Sequence, residues 1–165
     1  MSYRVSSMGR LVTAATLAAW IALLPTESRA QTGPFGGLAG AWSGTGQLLV
    51  KDGASERIRC RATYTISGTG SGLGQVLTCA SDSYRFDLTT NVTAAGSTLS
   101  GNWTETSRNL NGTLTGKVSG DKIDALVEAN GFSGSLTVLT SGKRQTIALR
   151  SQSTDLRGID IALTR

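Results

Sequence analysis

The sequence has 165 residues, with 16 Lys and Arg against 11 Asp and Glu, 21 Gly, 2 Cys and no His. A chain of that size holds one modest domain, and the missing imidazole excludes His-based triads, most zinc and haem ligation and the commonest general base near neutral pH. Glycine well above its usual ~7% points to a β rather than a helical chain.

The chain opens on Arg4 and Arg10, an apolar run from Leu11 to Leu24, then Pro25 and a polar stretch ending Ser28-Arg29-Ala30. A basic start, a short apolar run and small residues ahead of a cut predict a signal peptide over residues 1–30, cleaved before Gln31. The run is shorter than the ~20 residues of a spanning helix. No membrane span is therefore expected after cleavage, and the mature chain is expected in the periplasm or secreted. Removing Arg4, Arg10, Arg29 and Glu27 lowers the formal charge from +5 to about +3, which takes away most of the case for nucleic acid, and none is expected as a partner.

Residues 31–39 read as an irregular lead. Its Pro34 and Phe35 would plug one end of a barrel, reach into a partner, or trail as a tail. Residues 40–165 read as the domain, alternating with period two and broken by Gly, Asn, Asp and Ser. Ile58, Cys60, Ala62, Tyr64 and Ile66 alternate with Arg57, Arg59, Arg61, Thr63 and Thr65, the pattern of a half-buried strand. The rhythm recurs to Ile159, Ile161 and Leu163 and predicts about ten strands. Turn signals between them include Asp52-Gly53, Gly68 to Gly72, Ala95-Gly96, Asn109, Asn130-Gly131, Ser141-Gly142 and Gly158. Turns about ten residues apart leave no room for crossover helices, so the fold class is all-β, a single antiparallel meander. Glycines at inward positions, among them Gly44, Gly46, Gly101, Gly112, Gly116 and Gly134, suit bending and closure into a barrel.

The cysteines test the register. A hairpin turning at Thr69-Gly70 sets Cys60 opposite Cys79, Ala62 opposite Leu77 and Ile66 opposite Leu73, and predicts a structural disulfide. A loop from Lys51 to Ser55 sets Gly46 opposite Cys60, Leu48 opposite Ile58 and Trp42 opposite Tyr64. The Cys60–Cys79 register would also set Arg57 opposite Asp82 as a surface ion pair.

Two constellations stand out. Arg57, Arg59 and Arg61 share one outward face at ~7 Å spacing, suited to an anionic partner surface or simply to solvent. Trp103 and Glu105 share the inward face, with Tyr64 and Tyr84 as further inward aromatics, and together they form the candidate ligand site. Core packing for Trp103 and a solvated strand end for Glu105 is the alternative reading. The carboxylates Glu105, Asp121, Asp124 and Asp155 show no recognisable catalytic spacing, so no catalytic residue, metal or cofactor is assigned. Asn-x-Ser/Thr sequons at Asn91, Asn102 and Asn111 read as strand or turn residues.

Gly40-Ala41-Trp42 at the head of the first strand resembles the opening of the calycin barrels, the lipocalin and avidin type. That resemblance implies a calycin-like barrel with Trp42 packed across its closed end. The stretch Gly40 to Tyr64, with Glu56-Arg57-Ile58-Arg59-Cys60-Arg61-Ala62-Thr63-Tyr64, resembles exported proteins of Gram-negative bacteria that carry no assigned activity. The expected function is a non-catalytic binding protein, a monomer carrying a small apolar ligand in the barrel. Alternatives are a periplasmic protein-binding module, such as an inhibitor of a protease or a cell-wall lytic enzyme, and an envelope structural protein or small outer-membrane barrel. Its expected partner is thus a small ligand or an envelope protein.

Overall fold

The computed structural model describes residues 33–151 and 155–165, so the predicted signal peptide and its cleavage point lie outside the described residues. A 3-10 turn at Gly36–Leu38 precedes ten strands: β1 Gly40–Val50, β2 Ser55–Ile66, β3 Gly72–Ala80, β4 Arg85–Ala95, β5 Thr98–Glu105, β6 Leu110–Ser119, β7 Lys122–Ala129, β8 Phe132–Ser141, β9 Arg144–Ser151 and β10 Leu156–Thr164. Each strand pairs antiparallel with its sequence neighbours, and β10 returns to β1, closing the barrel. The alternation written in the sequence is the alternation of burial: Ile58, Cys60, Ala62 and Tyr64 are buried between exposed Arg57, Arg59, Arg61 and Thr63. Apolar side chains fill the interior while Thr, Ser, Arg and Asp cover the wall, the reverse of the apolar outer band of an outer-membrane barrel.

The disulfide register holds. Cys60 faces Cys79, Ala62 faces Leu77 and Ile66 faces Leu73, and the Cys60–Cys79 bond is formed. The first hairpin differs from expectation by two residues: Gly44 faces Cys60, Gly46 faces Ile58, Leu48 faces Glu56 and Trp42 faces Ala62. Its loop is tighter than Lys51 to Ser55, because the Val50 amide donates to the Ala54 carbonyl and Gly53 donates to Val50. Gly53 takes φ 85°, the left-handed position that completes a three-residue hairpin loop. A shift of two keeps every side chain on its predicted face. Gly158, expected in a turn, lies inside β10 at the edge of a bulge, where Leu49 pairs with Gly158 but Val50 pairs with Leu156. Among the described residues Arg57 makes no ion pair with Asp82.

Closure explains the inward glycines. A Cβ on Gly44 would overlap the Ala162 carbonyl of β10, and one on Gly112 would overlap both the Glu128 carbonyl and the Trp103 indole. Strands cross there too closely for any side chain.

One end of the barrel is sealed by the lead. Phe35, 0% exposed, and Leu38 enter the core beside Trp42. The Phe35 amide donates to the Gly70 carbonyl at 3.1 Å, and Gly33 lies so close to Gly70 that neither has room for a Cβ. Trp42 Nε1 donates to the Leu38 carbonyl at 2.8 Å. Arg165 holds its guanidinium 5.1 Å from the centre of a Trp42 ring and donates to the Ala39 carbonyl at 2.7 Å. Trp42 thus occupies the place at the closed end that the calycin resemblance implies.

Candidate functional site

The opposite end carries the turns β1–β2, β3–β4, β5–β6 and β7–β8. Leu48 and Phe86 are buried at this end, but several other inward side chains there are only half-buried: Leu88, Leu110, Phe132, Leu149, Leu156 and Ile159 pack against the core without being enclosed by it. Inward parity next to a turn is why these positions are apolar yet incompletely covered; the strand ends before another layer can pack on them. Trp103, 9% exposed, is a core residue two positions before the end of β5 on this side of the barrel. It meets Phe132 edge to face at 6.0 Å between ring centres and donates its Nε1 proton to the Thr113 carbonyl at 3.1 Å. The indole therefore has no hydrogen-bonding atom left to offer and presents hydrocarbon.

Glu105 is buried at the rim, and its oxygens are taken up by its own chain. Oε1 accepts from the amides of Asp87 at 3.0 Å and Ser107 at 3.1 Å and from the Ser107 hydroxyl, while Oε2 accepts from the Arg108 amide at 2.9 Å. Arg108 stands 3.7 Å away as a partly exposed ion-pair partner. Burial pushes its pKa upward, but the hydrogen bonds from the Ser107 hydroxyl and the three amides outweigh burial and hold the carboxyl below its ordinary range. The arrangement clamps the β5–β6 turn to β4.

The structure brings together Trp103 and Glu105, with Tyr84 on the rim at the β3–β4 turn, where Ser81 Oγ accepts from the Tyr84 amide at 2.9 Å. Tyr64 lies elsewhere. It sits at the sealed end, meeting Trp42 edge to face at 6.3 Å. Its hydroxyl donates to Gln145 Oε1 at 2.6 Å and accepts from Gln75 Nε2 at 3.1 Å; Gln145, 1% exposed, passes the chain on to the Thr140 hydroxyl. Burial pushes the Tyr64 pKa up to about 12 against the opposing pull of Gln75 and Gln145. This polar bridge was not picked out in the sequence, although Gln75, Thr140 and Gln145 stand at inward parity, where a polar residue is its own signal. Arg57, Arg59 and Arg61 lie exposed on the outer wall of β2, facing away from the barrel interior, with Arg57 nearest the mouth end. Among the described residues no three His, Cys, Asp or Glu gather as a metal site.

No family model matches the chain, and no curated protein matches it. Solved structures do. The crystal structure of Rv2717c from M. tuberculosis superposes with a TM-score of 0.61 at 13% identity, covering 78% of this chain and 92% of that one. The S-type phycobiliprotein lyase CPES from Guillardia theta superposes with a TM-score of 0.56 at 7% identity, covering 79% and 89%. At such identities the likeness is one of fold. Among the described residues this chain is an all-β closed barrel of ten antiparallel strands stapled by one disulfide.

Proposed function

We propose that the protein is an exported, non-catalytic carrier that takes a small apolar ligand into the open mouth of the barrel. The observation that carries this reading is the asymmetry of the two ends: one is corked by fully buried side chains of the lead, and the other is ringed by half-buried apolar ones above Trp103. An end walled by apolar side chains with few polar groups suits a hydrocarbon or aromatic ligand. One protein with this barrel type is named a phycobiliprotein lyase, which is consistent with a barrel that handles a ligand. The disulfide and the leader support export to an oxidising compartment.

Native mass spectrometry of the protein from its host's exported fraction, with Nile red titration of the stripped protein, tests the reading. We expect a mass lost on denaturation and saturable dye binding abolished by Leu110→Asp or Leu149→Lys. A bare mass together with no dye binding would overturn it.

A second reading rests on the arginine row. Arg57, Arg59 and Arg61 are exposed and have no ion-pair partner among the described residues, which favours an acidic envelope protein as partner. Reversing all three to Glu would abolish capture of such a partner and leave Nile red binding intact.

A further inference from the structure

We propose that the outer wall of β2–β6 binds a neutral glycan chain. An open groove of about 930 Å³ runs across this face, and not one of its lining residues carries a charge. Crossing five strands at ~4.8 Å each gives it a length of ~19 Å, enough for an oligosaccharide rather than a single sugar.

The register builds the groove row by row. Asn91 faces Asn102, and Asn102 faces Thr113. Beside them Thr93 faces Ser100 and Ser100 faces Thr115. On the far side Thr63 and Thr89 flank Val76, which at 55% exposure is the most exposed large apolar side chain among the described residues. Gly74 stands between Thr65 and Asn91, and a Cβ there would meet nothing closer than Asn91 Oδ1 at 3.6 Å, so the floor beside the amides is open.

These hydroxyl and amide side chains make no side-chain hydrogen bond to the described residues. Their neighbours at the edge do: Thr78 donates to Asp87 at 2.8 Å and Thr104 to Asn111 at 2.9 Å. The groove thus holds both donors and acceptors in a fixed lattice, unclaimed by the protein. The three Asn-x-Thr triplets of the sequence account for much of it. Asn91-Val92-Thr93, Asn102-Trp103-Thr104 and Asn111-Gly112-Thr113 fall on adjacent strands, each with its middle residue turned inward.

The chemistry selects the occupant. Nucleic acid needs cations to neutralise phosphates, and the groove has none. Stable protein interfaces rest on Trp, Tyr or Arg anchors, and a lipid surface needs a broad apolar band; neither is present in the groove. A polyhydroxylated chain without charge matches a row of alternating donors and acceptors, with Val76 and the threonine methyls against its C–H faces.

Affinity electrophoresis of the purified protein in gels containing dextran, hydroxyethyl cellulose, soluble chitin oligomers or dextran sulfate tests this. At least one neutral glycan should retard the protein, and the Asn91→Ala/Asn102→Ala/Thr113→Ala variant should bind it at least tenfold more weakly with unchanged circular dichroism and Nile red binding. If that variant loses its fold, Asn102→Ala alone decides. Retardation by none of the neutral glycans, retardation that survives the substitutions, or retardation by dextran sulfate alone that disappears on reversing Arg57, Arg59 and Arg61 would each overturn the proposal.

Discussion

The two ends of the barrel are built from the same alternating strands and reach different states of packing. At the sealed end Phe35, Trp42, Leu99, Gln145 and Leu163 are almost wholly buried, tied by the polar bridge through Tyr64 and by Arg165 over the indole. At the mouth Leu88, Leu110, Phe132 and Leu149 keep part of their surface in solvent. Strand pattern alone does not produce this difference. What separates the ends is the lead over residues 33–39 together with Arg165, an extra layer supplied to one side only.

If that contrast is energetic as well as geometric, the largest effect belongs to the cork. Phe35→Ala is expected to cost about 3–5 kcal/mol in urea unfolding, and Phe132→Ala at the mouth about half as much, since less of its surface leaves water on folding. Equal costs would erase the distinction. Next comes the staple between β2 and β3. Replacing Cys60 and Cys79 by Ala is expected to lower stability by about 3 kcal/mol in the chain-entropy account of a loop of this length, read by the same titration under non-reducing conditions.

The two ends are also expected to fail at opposite limits of pH. Tyr64 has a folded-state pKa of about 12 against an ordinary 10.0, so its neutral form stabilises the fold below pH 10 and that contribution is lost as pH rises toward 12. In Tyr64→Phe that alkaline loss should disappear, along with ~1–3 kcal/mol at neutral pH from the glutamines left without a partner. Glu105 runs the other way. Its pKa is lowered from 4.5, so it stabilises above that value and the contribution is lost as pH falls through the folded-state pKa. Glu105→Gln should therefore cost ~1–2 kcal/mol at pH 7 and little in acid. The smallest effect is Arg165→Gln, which removes the cation from the Trp42 face for about 0.5–1 kcal/mol.

How much of this could be read from the sequence follows from what period two encodes. Alternation assigns each residue to a face, so Cys60 against Cys79, the inward glycines and the outward arginines were legible. It says nothing of height along the barrel axis. Tyr64 and Trp103 share the inward face, yet one lies in the cork and the other under the mouth. Height also depends on loop geometry, and the left-handed Gly53 moved the first hairpin by two residues without turning a single side chain over. The expected Arg57–Asp82 pair failed for a related reason. Register brought Arg59 opposite Ala80, and the strand ended before Asp82 could follow.

The pairing of Ser43 with Thr164 has a bearing on how the molecule is made. β1 is synthesised first and its second neighbour last, so until β10 arrives the growing sheet has two open edges and the cork has no Arg165 to hold it. Hairpins from β1 to β9 can zip locally as they emerge, but the seam must wait for β10 and join the first of the ten strands to the last. A chain truncated before β10 would be left with an unpaired β1 edge, a template for association with other copies rather than a smaller barrel.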